Sequence, residues 1–387
     1  MSDSKRVKLG LEDFEKNWPS ELKGLNLGAL LHPASIMPDY RHTLDHLKEV
    51  DSEYFTLKAL FGPQHGIMGD LQDNMLESDH VVDDELNIPI WSLYSETREP
   101  TEKMLSNIDV LLIDLQDVGS RYYTYVWSMY LCMKACEKQG KKVVIQDRPN
   151  PISNRTEGLL LEKEFNSFVG LEPILSRHGQ TIGGLAKYFK DKFFSSLELF
   201  VVEMEEYSPE MYFDETGLPW VLPSPNMPTL NTAIVYPGMC LLEACNLSEG
   251  RGTTKPFELF GAPWVDAKKL VNHMNGLGLA GVSFREEHFL PTFHKYASES
   301  VAGWNDDVYD EYRGQVCHGA QIHVLERKEF KAFEMAVEIL KYCFKTYPSQ
   351  FKWRPAEVGY EYNFKHLGID LLLGSQEFRK KEIEGSL

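Results

Sequence analysis

Basic residues are scarce in this 387-residue chain: 40 Lys and Arg stand against 58 Asp and Glu, a formal charge of -18. That deficit excludes general binding to nucleic acid or to an anionic membrane surface, both of which need a basic face. An anionic ligand would have to be met by locally clustered Arg, Lys or His. Cysteine is also sparse. Cys132, Cys136, Cys240, Cys245, Cys317 and Cys343 form no C-x-x-C pair, and the spacing of the first two suits helix packing better than zinc. All six read as reduced core thiols, which favours a reducing compartment. No apolar run approaches the roughly 20 residues of a spanning helix, and residues 1–13 hold no apolar signal-peptide core. The expectation is a soluble, cytoplasmic protein with no membrane or nucleic-acid partner, its oligomeric state left open. A Walker loop, G-x-G-x-x-G and G-x-S-x-G are all missing. So is H-E-x-x-H: His42 and His46 have its spacing, but Thr43 stands where its glutamate belongs. No metal and no cofactor are expected.

What is present is alternation. Short apolar runs at 25–31, 56–61, 88–93, 110–115 and 142–145 read as strands. All but the first end in polar or glycine-rich residues: Gly62-Pro63-Gln64-His65-Gly66, Ser95-Glu96-Thr97-Arg98, Gln116-Asp117-Val118-Gly119 and Asp147-Arg148-Pro149-Asn150. Val126, Met129, Tyr130, Met133 and Cys136 mark one face of a helix that Gly140 closes. Another helix is predicted over 181–192, then a strand at 197–202. Such alternation builds a mainly parallel sheet covered by helices. Ligands of open sheets bind beyond the carboxyl ends of the strands, so the four polar ends converge. Four prolines in 219–228 read as a rigid connection. The chain is therefore divided into an α/β domain over 1–228 and a smaller α+β domain over 229–387. The second has predicted helices over 266–275 and 328–347 and strands at 282–285 and 321–325.

The run Asn-Leu-Ser-Glu-Gly-Arg-Gly-Thr-Thr at 246–254 is poor helix and poor strand, because glycine is loose and Ser, Asn and Thr compete for backbone hydrogen bonds. It reads as the lip of a pocket, with Asn246, Glu249 and Arg251 as its chemistry. Gln64 and His65 sit in a tight turn at a sheet edge. Asp117 is the better chemical candidate of the pair Asp114 and Asp117; Asp114 reads as structural. Asp147 and Arg148 read as an ion pair. Arg177 and His178 precede a helix, where an anion site is physically reasonable. Tyr212, Phe213, Trp220 and Trp264 could stack on a sugar or simply pack a core.

Taken in order, the segments resemble one family. They include Phe-Gly-Pro-Gln-His-Gly at 61–66, Asp-Leu-Gln-Asp-Val-Gly at 114–119 with Arg121, Asp-Arg-Pro-Asn-Pro at 147–151, His178-Gly179, Pro-Ser-Pro-Asn at 223–226 and the run at 246–254. The set is similar to the NamZ-type exo-β-N-acetylmuramidases, glycoside hydrolase family 171, over about residues 25 to 375. The resemblance implies a Rossmann-like N-terminal domain, a smaller C-terminal domain and a cleft between them. It implies release of N-acetylmuramic acid from the non-reducing end of peptidoglycan fragments. The chain departs from the pattern at Gln64, where a glutamate is usual, and at Glu243-Ala244-Cys245, where Glu-Gly-Thr is usual.

Glycoside hydrolysis normally needs two carboxyl groups flanking the bond. The candidates on strand ends and site loops are Glu96, Asp117, Glu243 and Glu249. Glu249 is expected as general acid with Asp117 as its partner. Gln64 and His65 would orient the sugar or a water, and Arg148, Arg177 or Arg251 would pair with the lactyl carboxylate. Glu96, Arg121, His178, Asn226 and Asn246 complete the expected binding set. Two alternatives remain open. One is a non-catalytic carbohydrate-binding protein with the same small-molecule or oligosaccharide ligand. The other is a transferase on a phosphorylated or nucleotide-linked sugar, which needs a phosphate site at the helix after His178.

Overall fold

The computed structural model describes residues 6–71, 77–292 and 312–385. A seven-stranded sheet forms the first half, in the order β3-β4-β2-β1-β5-β6-β9. Its strands are β1 (Leu25–Leu30), β2 (Phe55–Gly62), β3 (Val81–Val82), β4 (Pro89–Ser92), β5 (Val110–Ile113), β6 (Lys142–Gln146) and β9 (Leu199–Val202). All pairings are parallel except β3 with β4. Strand β5 is apolar throughout because both faces are covered, and every one of its residues is buried. Helices Tyr125–Lys138 and Ile182–Phe193 lie on this sheet. A two-stranded antiparallel ribbon, β7 (Glu157–Leu160) with β8 (Leu175–Arg177), leads out of it.

The second half is built on an antiparallel sheet in the order β10-β12-β11, from β10 (Leu259–Ala262), β11 (Val282–Phe289) and β12 (Cys317–Val324). Helix Ala267–Gly276 packs on it, and helix Ala332–Thr346 packs on that helix and on Leu230–Met239. The architecture is thus a mainly parallel α/β unit followed by a smaller α+β unit. One apolar cluster runs through both, from Leu30 to Ile383. Among the described residues no helix is long and apolar enough to cross a membrane.

Polar anchors fix the strand ends. Arg148 is buried and its guanidinium grips Asp114 at 2.5 and 2.9 Å, while Thr43 donates to the same carboxylate at 2.6 Å. The expected Asp147–Arg148 pair is therefore corrected. Asp147 instead accepts from the backbone N–H of Gly183 (2.8 Å) and from the Thr181 hydroxyl (3.0 Å) at the start of the helix Ile182–Phe193. Arg121 is fully buried and donates to the carbonyls of Leu159, Ile174 and Leu372, tying the first half to the C-terminal helix Gly368–Leu373. Burial brings its pKa down to about 10, so it stays cationic at neutral pH.

Thr181 also caps that helix, accepting from Gly184 N–H at 3.0 Å. Thr181→Ala is expected to cost about 1 kcal/mol of stability, read as a lower urea midpoint. An unchanged midpoint would mean that Asp147 alone holds the helix start.

Candidate active site

A cavity opens beyond the carboxyl end of β2, where the two halves meet. It is narrow, with about 40 Å³ of free volume. From the first half come Gln64, His65 and the stretch Tyr122–Tyr125; from the linker, Ser224, Asn226 and Met227; from the second half, Tyr236, Glu243, Arg251, Phe257, Tyr360 and Glu361. The walls are aromatic and the facing groups polar.

The turn after β2 places Gln64 and His65. Gly66 N–H donates to the Pro63 carbonyl, and both His65 and Gly66 have positive φ, 71° and 79°. The Gln64 side-chain carbonyl accepts from the Thr124 hydroxyl at 2.6 Å. His65 Nδ1 lies 2.6 Å from the Leu71 carbonyl oxygen, so Nδ1 carries the proton and Nε2 is left as an acceptor. Desolvation pushes its pKa down to about 4, which keeps the ring neutral.

Arg251 organises the opposite wall. Gly250 and Gly252 flank it with φ of 81° and 75°; a Cβ at Gly250 would meet the Leu259 carbonyl oxygen at 2.8 Å. This explains the glycines of the run at 246–254. Arg251 Nη2 donates to Glu243 at 2.7 Å, and its Nε lies 3.0 Å from Glu249. Burial opposes the arginine's charge, but Glu243 and Glu249 hold its pKa above the ordinary value. Glu243 also accepts from the Tyr360 hydroxyl at 2.8 Å. It is carried there by the turn that follows the helix Leu230–Met239. That helix lies tight on Ala332–Thr346: a Cβ at Gly238 would sit 1.9 Å from the Ala332 carbonyl oxygen.

Glu361 closes the cavity. Tyr94 donates to its carboxyl at 2.8 Å. Burial raises its pKa to about 7, against the lowering pull of the Tyr94 hydroxyl and the Arg98 charge; Glu243 adds to the rise and a hydrogen bond from Gln64 opposes it.

Of the residues singled out in the sequence, Gln64, His65, Asn226, Glu243 and Arg251 line this cavity, and Glu249 lies behind Arg251. Asp117 is not among its lining residues. It accepts from Gly119 N–H at 2.7 Å and meets His178 Nε2 at 3.1 Å. Arg148 and Arg121 are engaged as described, and Arg177 is held by Glu157 and the Ile152 carbonyl. Asn246 bridges to the backbone of Gln350 and Lys352. Glu96 is exposed beside His80. The helix after His178 has its N-terminus occupied by Asp147, which leaves no vacant phosphate site at Gly183. Glu361, Tyr360 and the tyrosines at 122–125 were not singled out as site residues. Their one signal is a glutamate set between two tyrosines in the aperiodic stretch 359–363.

Two carboxyl groups, Glu243 and Glu361, thus face one cavity between the α/β and α+β parts. The chain belongs to the exo-beta-N-acetylmuramidase NamZ family: the N-terminal family model matches residues 27–231 and the C-terminal one residues 234–386. It is 41% identical over 349 residues to the peptidoglycan beta-N-acetylmuramidase NamZ of Bacillus subtilis (strain 168), covering 90% of this chain and 80% of the relative. Two crystal structures of DUF1343 family proteins from Bacteroides fragilis share the fold. One has a TM-score of 0.82 at 32% identity, covering 97% of this chain and 91% of its own. The other has a TM-score of 0.71 at 28% identity, covering 98% and 92%.

Proposed function

We propose that this chain is an exo-acting glycoside hydrolase that releases N-acetylmuramic acid, or a closely related sugar, from the non-reducing end of peptidoglycan fragments. The observation that carries this reading is that two carboxyl groups, Glu243 and Glu361, face one cavity whose other walls are aromatic. Hydrolysis of a glycosidic bond calls for such a pair, and aromatic walls suit the apolar faces of a sugar ring. Glu243 is held in place by Arg251, which donates to it at 2.7 Å. Asn226, Ser224 and Gln64 offer neutral hydrogen-bonding groups for the acetamido and lactyl oxygens. Glu249 acts as a positioning residue through Arg251.

We place the reaction in a reducing compartment, supported by six buried cysteines none of which is in a disulfide. Recovery of the chain in a secreted or periplasmic fraction would count against that placement.

Purified protein incubated with a β-linked nitrophenyl N-acetylmuramic acid glycoside is expected to release nitrophenol. The N-acetylglucosamine glycoside, lacking the lactyl group, should react at least about tenfold more slowly. Equal rates would remove muramic acid as the substrate. No cleavage of either would favour a binding protein.

A further inference from the structure

We propose that Glu361 is the proton donor to the leaving group, positioned by Tyr94 and Gln64. The inference rests on the hydrolase reading above. Its first support is backbone geometry. Glu361 and Tyr362 both have positive φ, 45° and 61°, and Tyr360 and Asn363 exchange backbone hydrogen bonds at 3.1 and 3.0 Å across them. This is a two-residue turn of the kind that Asn-Gly normally fills. Placing glutamate and tyrosine there costs on the order of 1 kcal/mol per residue, a strain that persists where the side chain has a task. The turn delivers the Glu361 carboxyl into the cavity, with the residue only 8% exposed.

The second support is what surrounds the carboxyl. Tyr94, from the segment after β4, donates to one oxygen. Arg98, on the same segment, is sandwiched between the rings of Tyr94 and Tyr362, at 4.0 and 4.5 Å from their centroids. Gln64 has its carbonyl occupied by Thr124, so its amide N–H₂ is the end that remains for Glu361. Glu243 faces it from the second half, itself held by Arg251 and Tyr360. The other titratable groups lining the cavity are His65, neutral, and Tyr122, Tyr123, Tyr125, Tyr236 and Tyr360; burial raises the pKa of the first four tyrosines. Burial prevails over these neighbours, so the carboxyl is about half protonated near pH 7.

The step balances simply. As the bond between the anomeric carbon and the glycosidic oxygen breaks, the Glu361 proton passes to that oxygen. Water supplies the hydroxyl that ends on the anomeric carbon, and its remaining proton restores the lost one. One water is consumed for each bond cleaved.

The test uses the full chain and two β-N-acetylmuramic acid substrates, one with a nitrophenyl leaving group and one with an N-acetylglucosamine leaving group. A nitrophenolate departs without a proton; a sugar alkoxide does not. Glu361→Gln is expected to slow disaccharide cleavage by roughly 10²–10⁴-fold and nitrophenyl cleavage far less. The wild-type rate on the disaccharide should fall as pH rises through about 7, and that limb should vanish in Glu361→Gln. Tyr94→Phe removes a hydrogen bond that favours the ionised form, so its limb should move to higher pH. Equal losses on both substrates, a limb that survives in Glu361→Gln, or a limb unmoved in Tyr94→Phe would each overturn the proposal. A wild-type chain that cleaves neither substrate would overturn the hydrolase reading, and the role of Glu361 with it.

Discussion

Arg251→Met is expected to give a protein that is poorly stable at neutral pH and does not turn over. One guanidinium serves two buried carboxylates, Glu243 at 2.7 Å and Glu249 at 3.0 Å, and none of the three residues is more than 8% exposed. Methionine keeps the length and the contact with the Phe257 ring, over which the guanidinium lies at 5.2 Å. It removes the charge. Breaking a buried pair in this way costs about 3–5 kcal/mol, because the remaining ions stay buried without compensation. The pH dependence has a definite sign. Two carboxylates left together raise each other's pKa. A carboxyl whose folded pKa is raised binds protons more readily folded than unfolded, so stability falls as pH rises through the interval between the two values. Urea unfolding should therefore show a deficit that is larger at pH 8 than at pH 5. Turnover should fall by at least roughly 10²-fold, since Glu243 loses the partner that aims it. A deficit of the same size at both pH values would show that the two carboxylates do not depend on Arg251.

The sheet was legible because its strands announce themselves. β1, β2, β5 and β6 are apolar runs that stop at glycine, proline or charge, and a strand covered on both faces has no other pattern to offer. The helix Leu230–Met239 was not legible. It contains Pro237 and is apolar on nearly all sides, so it has no helical period to read. The ribbon β7–β8 is too short and irregular for alternation to show. For the site, glycine-bearing loops pointed to Gln64, His65 and Arg251, because positive φ leaves a mark in composition. What the sequence does not carry is the direction of a side chain. Asp147 and Arg148 are adjacent at a strand end, where successive side chains point to opposite faces. One therefore meets a helix N-terminus and the other meets Asp114 on the neighbouring strand. Asp117 turns back on its own loop at Gly119, and Glu249 stands behind Arg251. Glu361 left only its two flanking tyrosines as a mark, since its turn contains no glycine at either central position.

Gln64→Glu is expected to lower turnover, although it installs the glutamate that the family resemblance implies at this position. The amide now does two things that a carboxylate cannot do together. Its carbonyl accepts from Thr124, and its N–H₂ is left for the cavity that Glu361 also lines, where it favours the ionised carboxyl. A glutamate would keep the first contact and replace the second with a like charge against a buried carboxyl. Carboxyl groups that share a site cannot both ionise freely, so the pair would hold one proton over a wide pH range. Glu361 would then be the weaker acid, slower to release its proton at neutral pH, and the added charge would repel the lactyl carboxylate of the substrate. A loss of roughly 10²-fold on the disaccharide is expected, with the alkaline limb of the pH–rate profile moved upward from about 7. The loss should ease on the nitrophenyl substrate, which needs no proton. A variant more active than the wild type, with its limb governed by the new carboxyl, would mean that position 64 is the natural seat of the acid. Glu361 would then be reduced to a neighbour that orients it.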